Sequence, residues 1–276
     1  DAILIKTDSL GNLDWSKRYG GVEIDAGYQL MEKKDGGYVF TGYTSSYAGS
    51  ERHDLLLVST TEDGTMLWMK VMGGDMEDYG TDLLEVSKGS IILTGYTYSY
   101  GQGQDDLFLM RLKSNGDTLW TRLYGSTLNE HSYSVDLADT GYIIAGFTKS
   151  FTNGLYDAYV IKTDWEGNLE WSSVYGGDKD DRAQTLRKVE DGYLVAGGTM
   201  SSGAGEMDLM LFKIDFDGKL LWAKTYGTSS DETANSMSIT SDGGCLITGF
   251  TNTPEKGGSD LIIIKSDSNG DTLWTG

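Results

Sequence analysis

The chain reads as a succession of short apolar runs, some alternating with polar residues and some continuous, each closed by glycine and aspartate, as strands joined by tight turns would be. One unit shows the pattern. Runs at 26–32, Tyr38–Thr44, Asp54–Thr60 and 66–71 are separated by Asp35-Gly36-Gly37, a longer Ser/Gly/Tyr segment and Glu62-Asp63-Gly64. We label these runs A to D. Run A mixes small and polar residues (Ala183-Gln184-Thr185, Ala234-Asn235-Ser236). Runs B and C (Tyr142-Ile143-Ile144-Ala145-Gly146, Leu261-Ile262-Ile263-Ile264) are apolar at consecutive positions and are expected to be covered on both faces. Run D carries a tryptophan, which can bury on the order of 200 Å² against a neighbour.

The unit repeats along the whole chain. Tryptophan stands at Trp15, Trp68, Trp120, Trp171, Trp222 and Trp274, 51 to 53 residues apart, and the first five are followed by Gly20, Gly73, Gly125, Gly176 and Gly227. Aspartate opens run C at Asp1, Asp54, Asp106, Asp157, Asp208 and Asp260. Gly-x-Thr closes run B at Gly42/Thr44, Gly95/Thr97, Gly146/Thr148, Gly197/Thr199 and Gly249/Thr251. Four strands per unit at this period is the arithmetic of a propeller blade, whereas leucine-rich and helical repeats are shorter or carry a 3.6-residue pattern. The expectation is an all-β chain, a β-propeller of four-stranded antiparallel blades in one domain over 1–276. Its complete blades fall at 21–73, 74–125, 126–176, 177–227 and 228–276, after a C–D half blade at 1–20. Because that half blade has no A–B pair, we expect either a piece of a longer, six-bladed propeller or a second chain that supplies the pair. The second case makes the half blade a site of self-association or assembly.

Composition changes this picture little. Thirty-eight glycines, 17 tyrosines and a single proline suit many short strands and tight turns. A formal net charge of -20 disfavours nucleic acid and anionic membrane surfaces and leaves cations and neutral ligands as partners. No apolar run approaches the roughly 18 to 20 residues that insertion into a bilayer requires. Asp1 is neither an initiator methionine nor the start of a signal peptide, so the chain is expected to be processed or excised. Cys245, in Gly244-Cys245-Leu246-Ile247-Thr248, reads as a packed thiol. His53 and His131 stand at unmatched repeat positions, read as loop residues, and argue against a histidine metal centre.

The string Asp-x-x-(Leu/Ile/Val)-(Ile/Leu)-Lys-x-Asp-x-x-Gly-x-x-x-Trp-x-x-x-Tyr-Gly-Gly, followed by Asp-Gly-Gly-Tyr and Gly-Tyr-Thr, resembles the secreted bacterial β-propeller repeat proteins, often parts of lipoproteins or of large surface proteins. The resemblance implies a secreted or cell-surface setting and a scaffold or binding role without an assigned ligand. More loosely, Asp8-x-x-Gly11-x-x-x-Trp15 and its copies are similar to the tryptophan-docking repeats of quinoprotein-like and outer-membrane assembly propellers, with a spacing one residue short and no cofactor implied.

In a blade of this connectivity the D–A and B–C loops share one face and the A–B and C–D turns the other. The longer B–C loops carry Tyr47, Tyr98, Tyr100 and Phe151, aromatics able to stack on a glycan or to meet a protein, or to pack loop against loop. On the same face an acid follows each repeat glycine by five positions: Asp25, Asp78, Glu130, Asp181 and Glu232. A ring of such carboxylates could hold calcium; alternatively, each caps its own D–A turn. Asp267-Ser268-Asn269-Gly270-Asp271 imitates the opening of a calcium loop but lacks the downstream glutamate, which leaves a hairpin turn. The arginines stand at mismatched repeat positions and the aspartate-box spacing differs, against a sialidase; no Gly-x-Ser-x-Gly elbow or phosphate loop occurs. The leading expectation is a binding or scaffold propeller rather than an enzyme. A glycan hydrolase or lyase would require one or two of the acids to differ in environment from the rest, whereas turn capping requires all five to behave alike.

Overall fold

A computed structural model describes residues 1–47, 52–152, 155–253 and 258–276. The chain is a β-propeller of five four-stranded antiparallel blades with a two-stranded half blade, and it divides into two compact units, Asp1–His131 and Ser132–Gly276. The first unit holds the half blade, β1 (Ala2–Thr7) and β2 (Leu13–Tyr19), then β3 (Asp25–Glu32), β4 (Tyr38–Thr44), β5 (Asp54–Thr60) and β6 (Met66–Met72). Its second full blade is β7 (Asp78–Glu85), β8 (Ile91–Thr97), β9 (Asp106–Leu112) and β10 (Thr118–Tyr124). β11 (Glu130–Leu137) begins at the end of this unit.

The second unit continues with β12 (Gly141–Thr148), β13 (Asp157–Asp164) and β14 (Leu169–Tyr175). Two more blades follow: β15 (Asp181–Val189), β16 (Gly192–Thr199), β17 (Asp208–Ile214) and β18 (Leu220–Tyr226), then β19 (Asp231–Ile239), β20 (Cys245–Thr253), β21 (Gly258–Ser266) and β22 (Thr272–Thr275). Strands follow one another in sequence order across every sheet. Among the described residues no helix is long and apolar enough to cross a membrane.

Burial explains the consecutive apolar positions of runs B and C in the inner blades, whereas in β21 the run Leu261–Ile264 is not covered as expected: Leu261 is 68% exposed and only Ile264 is buried. Every residue of β12 and β16 is buried, as are six of the seven in β5. His131 corrects one expectation: it lies inside β11 rather than in a loop, because the strand begins at the preceding acid, while His53 does precede β5 in a loop. Cys245 is buried, and burial pushes its thiol up from the usual range.

The Asp-x-x-Gly motif is a side-chain-closed turn. Asp8 Oδ1 accepts the N–H groups of Leu10 and Asn12 at 2.8 and 2.9 Å, and Asp267 Oδ1 accepts those of Asn269 and Asp271 at 2.9 Å each. The turn glycine must be glycine twice over. Gly64, Gly116, Gly218 and Gly270 have φ of 78, 81, 80 and 80°, which a side chain disfavours. A β-carbon on them would also stand 2.8, 2.9, 2.9 and 2.7 Å from Cζ3 of Trp15, Trp68, Trp171 and Trp222, each on the preceding D strand. The repeat tryptophan is therefore a blade-to-blade plug, and within each unit it couples the C–D turn chemistry to the packing of the next blade.

The half blade lacks this coverage. Ile3 and Ile5 are each 59% exposed, whereas Leu56 and Val58 at the same positions of β5 are 0% exposed. Leu30 on β3 is 45% exposed, against 5% for its counterpart Leu83 on β7.

Candidate functional site

At four junctions the glycine that follows run D sits between two carboxylates. A β-carbon at Gly73 would overlap Asp54 Oδ1 and stand 2.7 Å from Asp78 Oδ2; one at Gly125 would overlap Asp106 Oδ1 and stand 2.6 Å from Glu130 Oε2. In the second unit, Gly176 is placed likewise between Asp157 Oδ1 and Asp181 Oδ2, the latter at 2.7 Å, and Gly227 between Asp208 Oδ1 and Glu232 Oε2, also at 2.7 Å. Each pair joins the run-C aspartate of one blade to the run-A acid of the next.

All five run-A acids are buried and cap the turn before them. Backbone N–H groups of Gly21, Gly74, Ser126, Gly177 and Thr228 donate to Asp25, Asp78, Glu130, Asp181 and Glu232 at 3.0, 2.9, 2.8, 2.8 and 2.9 Å. The threonine of Gly-x-Thr supplies a second donor: Thr44 to Asp25, Thr97 to Asp78, and Thr251 to Glu232 at 2.7 Å. That accounts for the recurrence of the element. Burial alone would raise the Asp25 carboxyl, but the Thr44 hydroxyl, the Gly21 N–H and the Ser46 hydroxyl together hold it below the usual range. Among the described residues no group of three or more His, Cys, Asp or Glu is placed to hold a metal ion.

One junction departs from the pattern. The Thr199 hydroxyl lies 3.5 Å from Ser202 Oγ, and Asp181 Oδ1 and Asp157 Oδ1 are both buried without a partner. Burial and the neighbouring Asp181 and Asp180 push Asp157 up to about 6. Phe151, half-exposed, packs its ring 5.4 Å from that of Tyr159 and lines a notch of about 270 Å³ with Asp157, Gly177 and Asp178.

Beside each junction glycine lie three further positions: the residue after the acid, the central residue of Gly-x-Thr, and the residue before the run-C aspartate. The same backbone bond holds them, from Asp78 N–H to His53 O (2.8 Å), Glu130 to Asp105 (3.0 Å), Asp181 to Tyr156 (2.7 Å) and Glu232 to Met207 (2.8 Å). The side chains differ from junction to junction.

In the first unit these positions build a continuous aromatic belt. Tyr43 packs 4.4 Å from His53 and 5.4 Å from Tyr79, and His53 Nδ1 lies 2.6 Å from the Tyr79 hydroxyl. Tyr79 stacks on Tyr96 at 4.8 Å, and Tyr96 lies flat on His131 at 3.7 Å and 4°. His131 Nε2 meets Asp105 Oδ2. Tyr28 extends one end, 5.6 Å from Tyr43, and Tyr98 flanks the other, 6.3 Å from His131. Tyr28 is exposed and the other rings are half-buried, so the belt presents apolar π surface to solvent. Burial, with Glu77 beside its hydroxyl, holds the Tyr79 phenol well above the usual range, so it stays a neutral donor to Glu77 Oε2 at 3.1 Å.

The counterparts in the second unit are unlike these. Arg182 lies over Phe147 and Tyr156, its Cζ 5.0 and 4.6 Å from the two ring centroids, with Lys149 Nζ 5.3 Å from the Tyr156 ring. At the next junction stand Gly198, Met207 and Thr233.

Of the loop aromatics picked out from sequence, Tyr98 joins the belt. Tyr47 and Tyr100 are half-exposed and use their hydroxyls to pin the loops, donating to Gly20 O at 2.8 Å and Gly73 O at 2.9 Å. Sequence reasoning passed over Tyr28, Tyr43, Tyr79, Tyr96 and both histidines. The available signal was variation at fixed repeat positions, against constancy on either side.

No protein-family model matches the chain. A curated relative, the regulatory protein FlaEY of Caulobacter vibrioides, is 26% identical over 180 residues, covering 54% of this chain and 19% of that protein. This chain thus spans about a fifth of that relative's length. Among solved structures it is similar to the Pan2 WD40 domain of Neurospora crassa, with a TM-score of 0.56, 11% identity, and coverage of 90% of this chain and 65% of that one. It is similar also to an apocarotenoid oxygenase of Synechocystis, with a TM-score of 0.56, 10% identity, and coverage of 92% of this chain and 62% of that one. At such identities these similarities show the propeller fold alone.

Proposed function

We propose that this propeller is an extracellular or cell-surface binding module that takes a neutral glycan on the loop face of its first unit. The aromatic belt from Tyr28 through Tyr43, Tyr79 and Tyr96 to His131 carries this reading. Sugar rings have apolar C–H faces that pack on π surfaces, and a rigid platform of several rings offers contact area with little side-chain entropy to lose. Glu77 and the His53 imidazole lie at the belt, where they can bond sugar hydroxyls. The charge of -20 turns polyanionic ligands away. The setting outside the cytoplasm rests on the resemblance of the repeat to secreted propeller proteins.

The test is titration of the full chain with a panel of neutral oligosaccharides by calorimetry. Removing one stacking ring is worth on the order of 1 kcal/mol, so the double variant Tyr79→Ala/Tyr96→Ala is expected to weaken binding by about tenfold or more, with an unchanged circular dichroism spectrum. A panel that fails to bind, or equal binding by the variant, would refute the reading.

A glycan hydrolase or lyase is the second reading, favoured by the Asp157–Asp181 junction, where one carboxyl is pushed up to about 6 and two oxygens stand without partners. It requires cleavage products from a bound glycan, lost in Asp157→Asn.

A further inference from the structure

In a chain of 42 acidic and 22 basic residues a cation readily finds a carboxylate. In the second unit Lys162, Lys213, Lys224 and Lys265 pair with Asp139, Asp191, Asp271 and Asp242 at 2.8, 2.7, 2.7 and 2.9 Å. Lys149 and Arg182 depart from this. Lys149, in the loop after β12, makes no ion pair among the described residues, and its Nζ stands over the Tyr156 ring instead. Arg182 reaches one carboxylate, Asp180 Oδ2, at a long 3.4 Å from its Nη2, and the other Asp180 oxygen already accepts the Tyr156 N–H at 3.2 Å. Among the described residues its Nη1 makes no hydrogen bond, and its Nε is buried without a partner.

Two rings hold the guanidinium in place. Phe147 and Tyr156 meet edge to face, their centroids 4.9 Å apart at 76°, and Arg182 Cζ lies over both. A guanidinium is weakly hydrated and always charged, so it rests on π surface without giving up its charge. Stacking covers its faces and leaves its N–H edge, on a side chain 37% exposed, as the side open to a ligand. N–H groups forked in one plane match the two oxygens of a carboxylate. The scaffold does not require these cations: the same two positions carry Tyr98 and His131 one junction earlier and Met200 and Thr233 one junction later.

We propose that Arg182 and Lys149 form a binding site for a single carboxylate, borne by an acidic sugar or by a free acid, with Arg182 donating from its Nη end and Lys149 supplying a second charge. Asp180 is the internal competitor, holding Nη2 loosely until the ligand's oxygen takes its place. The overall charge of -20 restricts the site to a lone anion, because the rest of a polyanion would meet an acidic surface. The inference goes beyond the first-unit reading and does not rest on it.

The experiment titrates D-glucuronate and acetate into the full chain, read by ligand-observed NMR, with glucose as the sugar that lacks the carboxylate. Both carboxylates are expected to bind, glucuronate tighter if the site reads an acidic sugar and the two equally if it reads the carboxylate alone. Arg182→Ala is expected to weaken them about tenfold or more, the loss of hydrogen bonds to a charged group, and to leave any binding of glucose unchanged. Lys149→Gln is expected to weaken them about threefold, as for an exposed ion pair, and Asp180→Asn, which removes the competitor, to tighten them. Should Arg182→Ala fail to fold, Lys149→Gln, on a loop side chain without an ion pair, decides. Failure of both carboxylates to bind, an affinity untouched by Arg182→Ala and Lys149→Gln, or weaker binding in Asp180→Asn would each overturn the proposal. Glucuronate binding that survives Tyr79→Ala/Tyr96→Ala separates this site from the belt.

Discussion

Each junction glycine, from Gly73 to Gly227, lies between two carboxylates, whereas the positions packed beside it carry Tyr43, His53 and Tyr79 at one junction and Gly198, Met207 and Thr233 at another. The constant layer answers to the backbone: a tight turn needs its N–H groups accepted, and two facing carboxylates leave no room for a β-carbon between them. The variable layer has no such duty. The inter-blade bond from the acid's N–H to the residue before run C forms whatever side chain that residue bears, whether His53, Asp105, Tyr156 or Met207. Positions that the scaffold holds but does not specify are free to be shaped by a ligand, and in the first unit they became a belt of rings.

The comparison breaks most sharply at the constant layer. Gly176→Ala drives a methyl into Asp157 Oδ1, and the overlap should cost about 3 kcal/mol in denaturant unfolding, the upper end of the usual overpacking range. Gly36→Ala, at a turn with open space and a φ of 91°, should cost only about 1 kcal/mol. Equal costs would remove the carboxylate clamp as the reason for the glycine.

A smaller effect tests the plug. Trp171→Ala takes away a half-buried ring that covers Gly218 and donates to Phe216 O at 3.2 Å, and should cost about 2–3 kcal/mol. Trp274→Ala, on a ring 50% exposed, should stay within about 0.5 kcal/mol. Thermal midpoints of the two variants measured side by side decide it.

The smallest effect is one of pH. Asp157 is raised to about 6, so the folded chain holds this proton more tightly than the unfolded chain. Its stabilising contribution is complete below a pH of about 4, the ordinary carboxyl range, and is lost as the pH rises through about 6. Asp157→Asn removes that loss. Relative to the native chain it should gain about 1 kcal/mol at pH 8 over pH 5, a figure discounted for solvent screening of a part-exposed group. An unchanged pH slope would show that Asp157 is not the group that departs from the pattern.

Much of the fold was legible in the chain itself. The runs read at 26–32, Tyr38–Thr44, Asp54–Thr60 and 66–71 became strands over Asp25–Glu32, Tyr38–Thr44, Asp54–Thr60 and Met66–Met72. Consecutive apolar residues in runs B and C meant cover on both faces in β5, β12 and β16, but not in β21, where Leu261 is 68% exposed and only Ile264 of its run is buried. The belt was not legible, because its partners come from run A of one blade and runs B and C of the blade before. His53 meets Tyr79, and Asp105 meets His131, across 26 residues, with no local pattern to announce the contact. Tyr47 and Tyr100 looked like free loop aromatics, and only the fold showed their hydroxyls tied to glycine carbonyls.

The sequence alone determined the period, the strand boundaries, the turn glycines and the unpaired C–D hairpin, since these depend on propensity and turn chemistry within a few residues of each position. Only the tertiary structure decided which carboxylates face each other, that Tyr43, Tyr79 and Tyr96 meet the two histidines, and that Leu30 stands half-exposed while Leu83 does not. Those outcomes depend on contacts between successive repeats, and a repeat carries no mark of what its neighbour places against it.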